Sequence, residues 1–305
     1  MNRSVSIIAS LLLLGAGCAR PVPVEVRPAT PGVSGYGEQG SSTPTVTPIA
    51  TAVFLDPQAE QDGWAKAQVR TGACRVGRGG VVNHHTLAPD LLADFFGELA
   101  RCRRNVATKT VIILTPDHWV RGSRGVTVHT LPYQVGPTLV EVDGEAIKRL
   151  QKTVLGLRED GEAFRGEHGV GALVPFMARA FPEAKMVPVM IRQTLDDSSA
   201  ASVTDWLTEE MKRDGTVVVV SSDMSHYLPA ETALKNDEDT RTAFQTGDDD
   251  FFWSASDTHT DNGKSLAIVL RALGRPRWRE LGHAISSDYA GTSVFTTTYI
   301  TGVWE

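Results

Sequence analysis

The stretch Val217–Val220 places four valines in succession and then turns polar in "SSDMSHY". A short β-branched run that is apolar on both alternating faces predicts a strand buried on two sides, as in a parallel sheet covered by helices. The pattern recurs upstream: "GGVVNHH" predicts a strand at Gly80–Val82, "TVIILTPDH" one at Val111–Leu114, and "KMVPVMI" another. Between these runs the apolar positions take a helical period. In "PDLLADFFGELARCRR", Leu91, Leu92, Phe95, Phe96 and Leu99 share one face, with Pro89 at a first-turn position. Helices are also predicted at Gly144–Leu155, across "GVGALVPFMARAF" despite Pro175, over "SSAASVTDWLTEEMKRD", and near Ala230–Phe244 and Lys264–Leu273. "SVFTTTYITGVW" alternates as a closing strand with one wetter face. This rhythm predicts a single α/β domain whose mainly parallel central sheet carries helices on both faces.

The amino-terminal stretch follows a different pattern. "MNRSVSIIASLLLLGAGC" joins Arg3 to an apolar core from Val5 to Leu14, with small residues before Cys18. Residues 1–17 read as a signal peptide, too short for a comfortable membrane span. "LLGAGC" resembles a bacterial lipobox, with Gly15 where Leu is more usual. That resemblance implies an exported protein anchored at the bacterial cell envelope through lipidated Cys18; simple cleavage and secretion is the alternative. Residues 18–51 are rich in Pro, Gly, Ser and Thr and lack an apolar period, so they read as a tether that cannot offset its ordering entropy by burial. The folded domain is expected over residues 52–305. After Cys18 only Cys74 and Cys102 remain, and in an oxidising compartment they either pair or stay as two separate thiols. A net charge of −6 without a long Lys/Arg cluster argues against a nucleic-acid partner.

Parallel strands bring their C-terminal ends to one sheet edge, where ligands of open α/β sheets bind. Three predicted strands end in histidine. His84 and His85 follow Val82, Asp117 and His118 follow Leu114 by a short turn, and Asp223 and His226 follow Val220. Four of the chain's eight histidines fall at these ends, so a shared site explains them better than separate helix caps do. Neutral imidazoles with a carboxylate suit Fe(II), Zn or Cu.

In order and spacing, "VVNHH", "ILTPDHW", "EHGVGALVPF" and "VSSDMSHY" resemble the motifs of the Memo family, also called AmmeMemoRadiSam system protein B. The resemblance covers about Gly79 to the C-terminus. The family is similar in fold to the class III extradiol dioxygenases, in which two His and a carboxylate hold Fe(II) and another His acts as acid and base. Carried over by motif, the resemblance implies His84 and His118 as metal ligands and His226 as the acid–base residue, with Asp223 its companion. It implies Glu167 and His168 as residues that line or brace the pocket, His168 being grouped with the catalytic set. His85 and Asp117 are expected at the pocket margin.

Three departures matter. Asn83 replaces the family's Pro, Gly171 replaces a Glu, and "THTDNGKSLAIVL" lacks the Cys that Memo proteins often carry before their last helix. Asp261 aligns there. Either it completes a two-His-one-carboxylate set or, with Asn262, it caps the helix. His259 is a reserve ligand and His283 a surface-loop histidine. The expected function is a non-haem Fe(II) oxidoreductase acting on a small molecule, with Zn or Cu as other ions. A Zn-dependent hydrolase and a lipid-anchored metal or small-molecule binder without turnover are the alternatives.

Overall fold

The computed structural model describes residues 57–122, 124–291 and 294–305. The signal peptide, the tether, Cys18 and the domain start at residue 52 lie outside the described residues. Helix α1 (Pro57–Lys66) leads to β1 (Gly79–Val82), α2 (Pro89–Arg103) and β2 (Thr110–Pro116). Short strands β3 (Val126–Val128), β4 (Tyr133–Val135) and β5 (Thr138–Val140) precede α3 (Gly144–Thr153) and β6 (Arg158–Glu159). Then come α4 (His168–Gly171), α5 (Val174–Ala180), β7 (Lys185–Ile191), α6 (Asp197–Glu210) and β8 (Thr216–Ser221). The last part holds α7 (Ala230–Thr246), α8 (Asp249–Ser254), α9 (Gly263–Leu273), β9 (Trp278–Ile285), α10 (Ser287–Ala290) and β10 (Thr298–Trp304).

One sheet of eight strands runs β6-β3-β7-β2-β8-β1-β10-β9. Its centre, β7-β2-β8-β1, is parallel throughout, and β3 and β10 flank it antiparallel. The four valines of β8 divide by the strand's two-residue period. Val218 and Val220 pack with α6 and α9 on one face, while Val217 and Val219 pack with α2 and α5 on the other. The expected α/β architecture, with helices on both faces, is the one observed.

Three local expectations are corrected. The predicted helix over "GVGALVPFMARAF" is two short helices, because Pro175 lacks an N–H and stands in the first turn of α5. Strand β10 has no wet face: every residue from Thr298 to Trp304 is buried. His283 lies within β9 rather than in a surface loop. Cys74 and Cys102 are joined by a disulfide, with Cα atoms 5.6 Å apart. Among the described residues, no helix is long and apolar enough to cross a membrane.

Candidate metal centre

Strands β2, β8 and β1 are neighbours and parallel, so the residues after Pro116, Ser221 and Val82 meet at one edge. The start of α9 is clamped onto that edge. Asn262 donates its side-chain amide to the carbonyls of Ser221 at 2.8 Å and Leu114 at 3.3 Å. This fixes Asp261 above the strand ends. His168 arrives as the first residue of α4.

One nitrogen from each of His84, His118 and His168 lies within 4.8 Å of the others, and the group could hold a metal ion. The His118 and His168 rings stack at 4.1 Å, with His84 edge-on to both. Asp261 Oδ2 is 3.1 Å from His84 Nε2, 3.4 Å from His118 Nε2 and 3.8 Å from His226 Nε2. The helix-capping reading of Asp261 is set aside by this geometry. Asn262 occupies the N-cap of α9 without a side-chain cap bond, and the Asp261 carboxylate faces the histidines.

The far side of each ring decides which nitrogen is free. His118 Nδ1 donates to Glu167 Oε1 at 2.6 Å, and Glu167 also accepts from the backbone N–H groups of His118 and Gly169. Ser221 Oγ gives its only hydrogen to the Gly169 carbonyl at 2.5 Å, so toward His84 Nδ1, 3.0 Å away, it acts as acceptor. With both Nδ1 atoms donating outward, both Nε2 atoms face the shared centre, the orientation that metal-binding histidines take from their outer partners.

The electrostatics follow. Burial pulls His118 down, yet hydrogen bonds to Asp261 and Glu167 outweigh it and raise its pKa to about 10. Burial likewise opposes protonation of His84, and Asp223 and Asp261 still hold it above the ordinary histidine value. Asp261 is buried, which disfavours its charge, but the surrounding histidines keep it well below the usual carboxylate range. His168 is pushed down to about 2, chiefly by burial and then by its neighbours His84 and His118. Two imidazole Nε2 atoms, on rings whose pKa values are both raised, thus face one carboxylate. Imidazole nitrogens and a carboxylate that converge on one point are donors a divalent cation can take in place of protons, so the donor set fits such an ion.

The centre opens into a cleft of about 420 Å³ lined also by His85, Trp119, Asp223, His226 and Tyr227. His85 accepts at Nδ1 from the Tyr299 hydroxyl or donates to it, at 2.7 Å. Asp223 accepts from the backbone N–H of His84 at 3.1 Å and stands 3.7 Å from that ring, so it positions His84 rather than serving as the companion of His226. Asp117 is corrected: it does not line the cleft. It accepts from the N–H groups of Arg121 and Gly122 and from Arg192, holding the turn in which Val120 takes a left-handed φ of 52°. His259 packs edge-on against Phe251, away from the ligand group.

Two residues had no assigned role in the sequence reading. Ser221 belongs to the "SSD" motif, but only the hydrogen bonds reveal that it sets the His84 tautomer. Asp237 is fully buried and accepts from Ser225, Thr298 and His283, bracing the turn that carries His226. Its signal was available: Asp237 shares the buried face of α7 with Ala233, Thr240 and Phe244, where an acidic residue needs a partner.

Residues 86–303 match a family profile described as Memo-like protein. The chain belongs to the Memo-like family. A MEMO1 family protein of Caldivirga maquilingensis is 28% identical over 206 residues, spanning 64% of this chain and 71% of its own length. One from Pyrobaculum arsenaticum is 26% identical over 232 residues, spanning 72% and 81%. Among solved structures, an uncharacterized protein from Escherichia coli K12 aligns with a TM-score of 0.47 at 14% identity, covering 72% of this chain and 98% of that one. The Memo-like match begins two residues after His84, so the place of that histidine in the centre rests on the geometry above.

Proposed function

We propose that this Memo-like protein is a metal-dependent oxidoreductase of extradiol dioxygenase type, with Fe(II) the favoured ion and His84, His118 and Asp261 its protein ligands. One observation carries the reading. Asp261 Oδ2 lies within 3.4 Å of two Nε2 atoms whose partner nitrogens donate outward. Two histidines and one carboxylate beside an open cleft form the donor set of non-haem Fe(II) sites, which leaves positions for substrate. Held there, such an ion would supply the Lewis acidity that lowers the pKa of a substrate hydroxyl.

The chain's own side chains supply the remainder. His226 lines the cleft 3.8 Å from Asp261, and its buried Nδ1 has no partner among the described residues. It takes up the hydroxyl proton of the substrate and returns it later. Neutral His168 presents a further nitrogen to the same centre. Exposed Trp119 and Tyr227 rim the opening and suit a flat, hydroxylated ring. The test is oxygen uptake by iron-loaded protein across a catechol panel. Turnover should appear, and His226→Ala should keep the metal while losing roughly 10²–10⁴-fold in rate. Metal loss in that variant would make His226 a ligand instead.

A second reading has its own support. Three histidine nitrogens within 4.8 Å are also the donor set of catalytic zinc, which would make the protein a hydrolase. Zinc in the purified protein, with hydrolysis and no oxygen uptake, would select it. Metal binding without either reaction would leave the non-catalytic binder.

Export and lipid anchoring through Cys18 belong to the same proposal. The Cys74–Cys102 disulfide supports an oxidising compartment. Metabolic labelling with a radioactive fatty acid should mark the wild type and not Cys18→Ser.

A further inference from the structure

A second cleft, of about 590 Å³, lies at the opposite edge of the sheet from the metal centre. Gly79 opens β1 beside Trp304, the end of β10, and Trp304 pairs with Trp278 at the start of β9. The metal-site histidines follow the other end of β1. The loop before β1 contributes Arg70 and Arg75 to this cleft, α2 contributes Arg101, and the β9 region contributes Arg277 and Arg279. Glu98 and Glu305 in the lining, and Asp94 behind Arg70 at 3.7 Å, oppose these five guanidiniums. The lining is thus strongly positive in a chain of net charge −6.

Three of the five are committed to the fold. Arg101 donates to Glu98 at 2.7 and 2.9 Å, and Arg279 pairs with Glu98 at 2.9 Å and Glu305 at 2.5 Å. Arg70 donates to the Leu281 carbonyl at 2.6 Å and pairs with Asp94 at 3.7 Å, while its Nε is buried without a partner. Arg75 and Arg277 are exposed and make no side-chain hydrogen bond or ion pair among the described residues. The disulfide ties Cys74, and with it Arg75, to α2, so the unpaired guanidinium is held at the cleft rather than on a free loop. No aromatic ring lines the cleft, so nothing there stacks a nucleobase or other flat ring.

We propose that this cleft binds a phosphate-bearing anion through Arg75 and Arg277, with Arg70 beside them. Guanidinium forks left without carboxylates in a concave, positive site match the paired oxygens of a phosphate. The phosphate of a soluble compound and that of an anionic lipid headgroup share this chemistry. Val69 and Val76, which flank Arg70 and Arg75, are 92% and 47% exposed and would give a lipid surface its apolar contact.

The full chain should be titrated calorimetrically with pyrophosphate at low ionic strength. In parallel it should be sedimented with phosphatidylglycerol-containing vesicles and with phosphatidylcholine vesicles. Saturable binding is expected in at least one anionic arm, and which arm identifies the source of the phosphate. Arg75→Ala/Arg277→Ala should weaken it about tenfold or more, because two charge-assisted contacts are lost. The melting temperature should stay unchanged, because neither side chain has a partner to lose; should it fall, the two single variants carry the test. His84→Ala should bind as the wild type does, which separates this cleft from phosphate captured at the metal centre. Absence of binding in both arms, equal binding by the double variant, or loss in His84→Ala would overturn the proposal.

Discussion

Replacing Asp261 with Ala distinguishes a ligand at the centre from a helix cap through two readouts that a cap leaves untouched. In metal-free protein, the Asp261 carboxylate lies 3.1 Å from His84 Nε2 and accepts from His118 Nε2 at 3.4 Å, and against burial it and Glu167 raise the His118 pKa to about 10. An unfolded histidine titrates near 6.5, so at pH 7 the raised value corresponds to about 4 kcal/mol of stability. Glu167 supplies the other carboxylate against His118, and an even division assigns Asp261 about 2 kcal/mol. That contribution is fully present below pH 6.5 and fades as pH rises through 10, so chelated wild type should weaken between pH 7 and 10 while chelated Asp261→Ala should show a flatter profile. Lost capping alone would cost about 1 kcal/mol at every pH. The second readout is metal linkage. A cation at a thousand times its Kd stabilises the fold by about 4 kcal/mol, and the variant should recover much less at the same metal concentration. Urea melts with and without metal at pH 7 and pH 10 measure both. An unchanged pH profile together with full metal stabilisation would refute the ligand role of Asp261.

Other perturbations read the supporting structure. Glu167→Gln keeps the shape but weakens the acceptor on His118 Nδ1, and metal affinity in a competition titration should fall about 10- to 100-fold with the fold intact. His129 is buried against Tyr133, and burial holds its pKa down to about 3, so the folded chain stays neutral there while the unfolded chain takes up a proton below pH 6.5. Stability should therefore fall by about 1.4 kcal/mol per pH unit from that group as pH drops from 6.5 toward 3, and His129→Gln should flatten the acid limb of a denaturation series. Asp237→Ala strands Ser225, Thr298 and His283 together, and should cost roughly 3 kcal/mol or more in a urea melt.

The sheet was legible because its central strands are buried on both faces, which leaves runs such as Val217–Val220 with no polar position to obscure them. The centre was legible for a related reason: parallel strands made three histidine-bearing turns neighbours before any distance was known. Side-chain direction was not legible. In "TPDH" the residues are adjacent, yet His118 turns into the cleft while Asp117 turns back to hold its own loop and Arg192. His168 could be placed at the pocket by motif, but its stacking on His118 is a matter of side-chain direction that the motif does not carry. The Cys74–Cys102 pairing is set by the packing of a loop against α2, and local patterning carries no trace of that distance. The helical period of α7 marks its buried face but does not show that an acidic residue there, Asp237, has three partners.

If the strand-end histidines hold one divalent transition-metal ion, the ion should travel with the purified protein. The most direct test is elemental analysis of the full chain purified without added metal or chelator, beside His84→Ala and His118→Ala. About one ion per chain is expected in the wild type, iron on the favoured reading, with almost none in either variant and far-UV spectra unchanged. Full occupancy in both variants, or a wild type that stays empty after anaerobic incubation with Fe(II) and with Zn(II), would contradict that assignment.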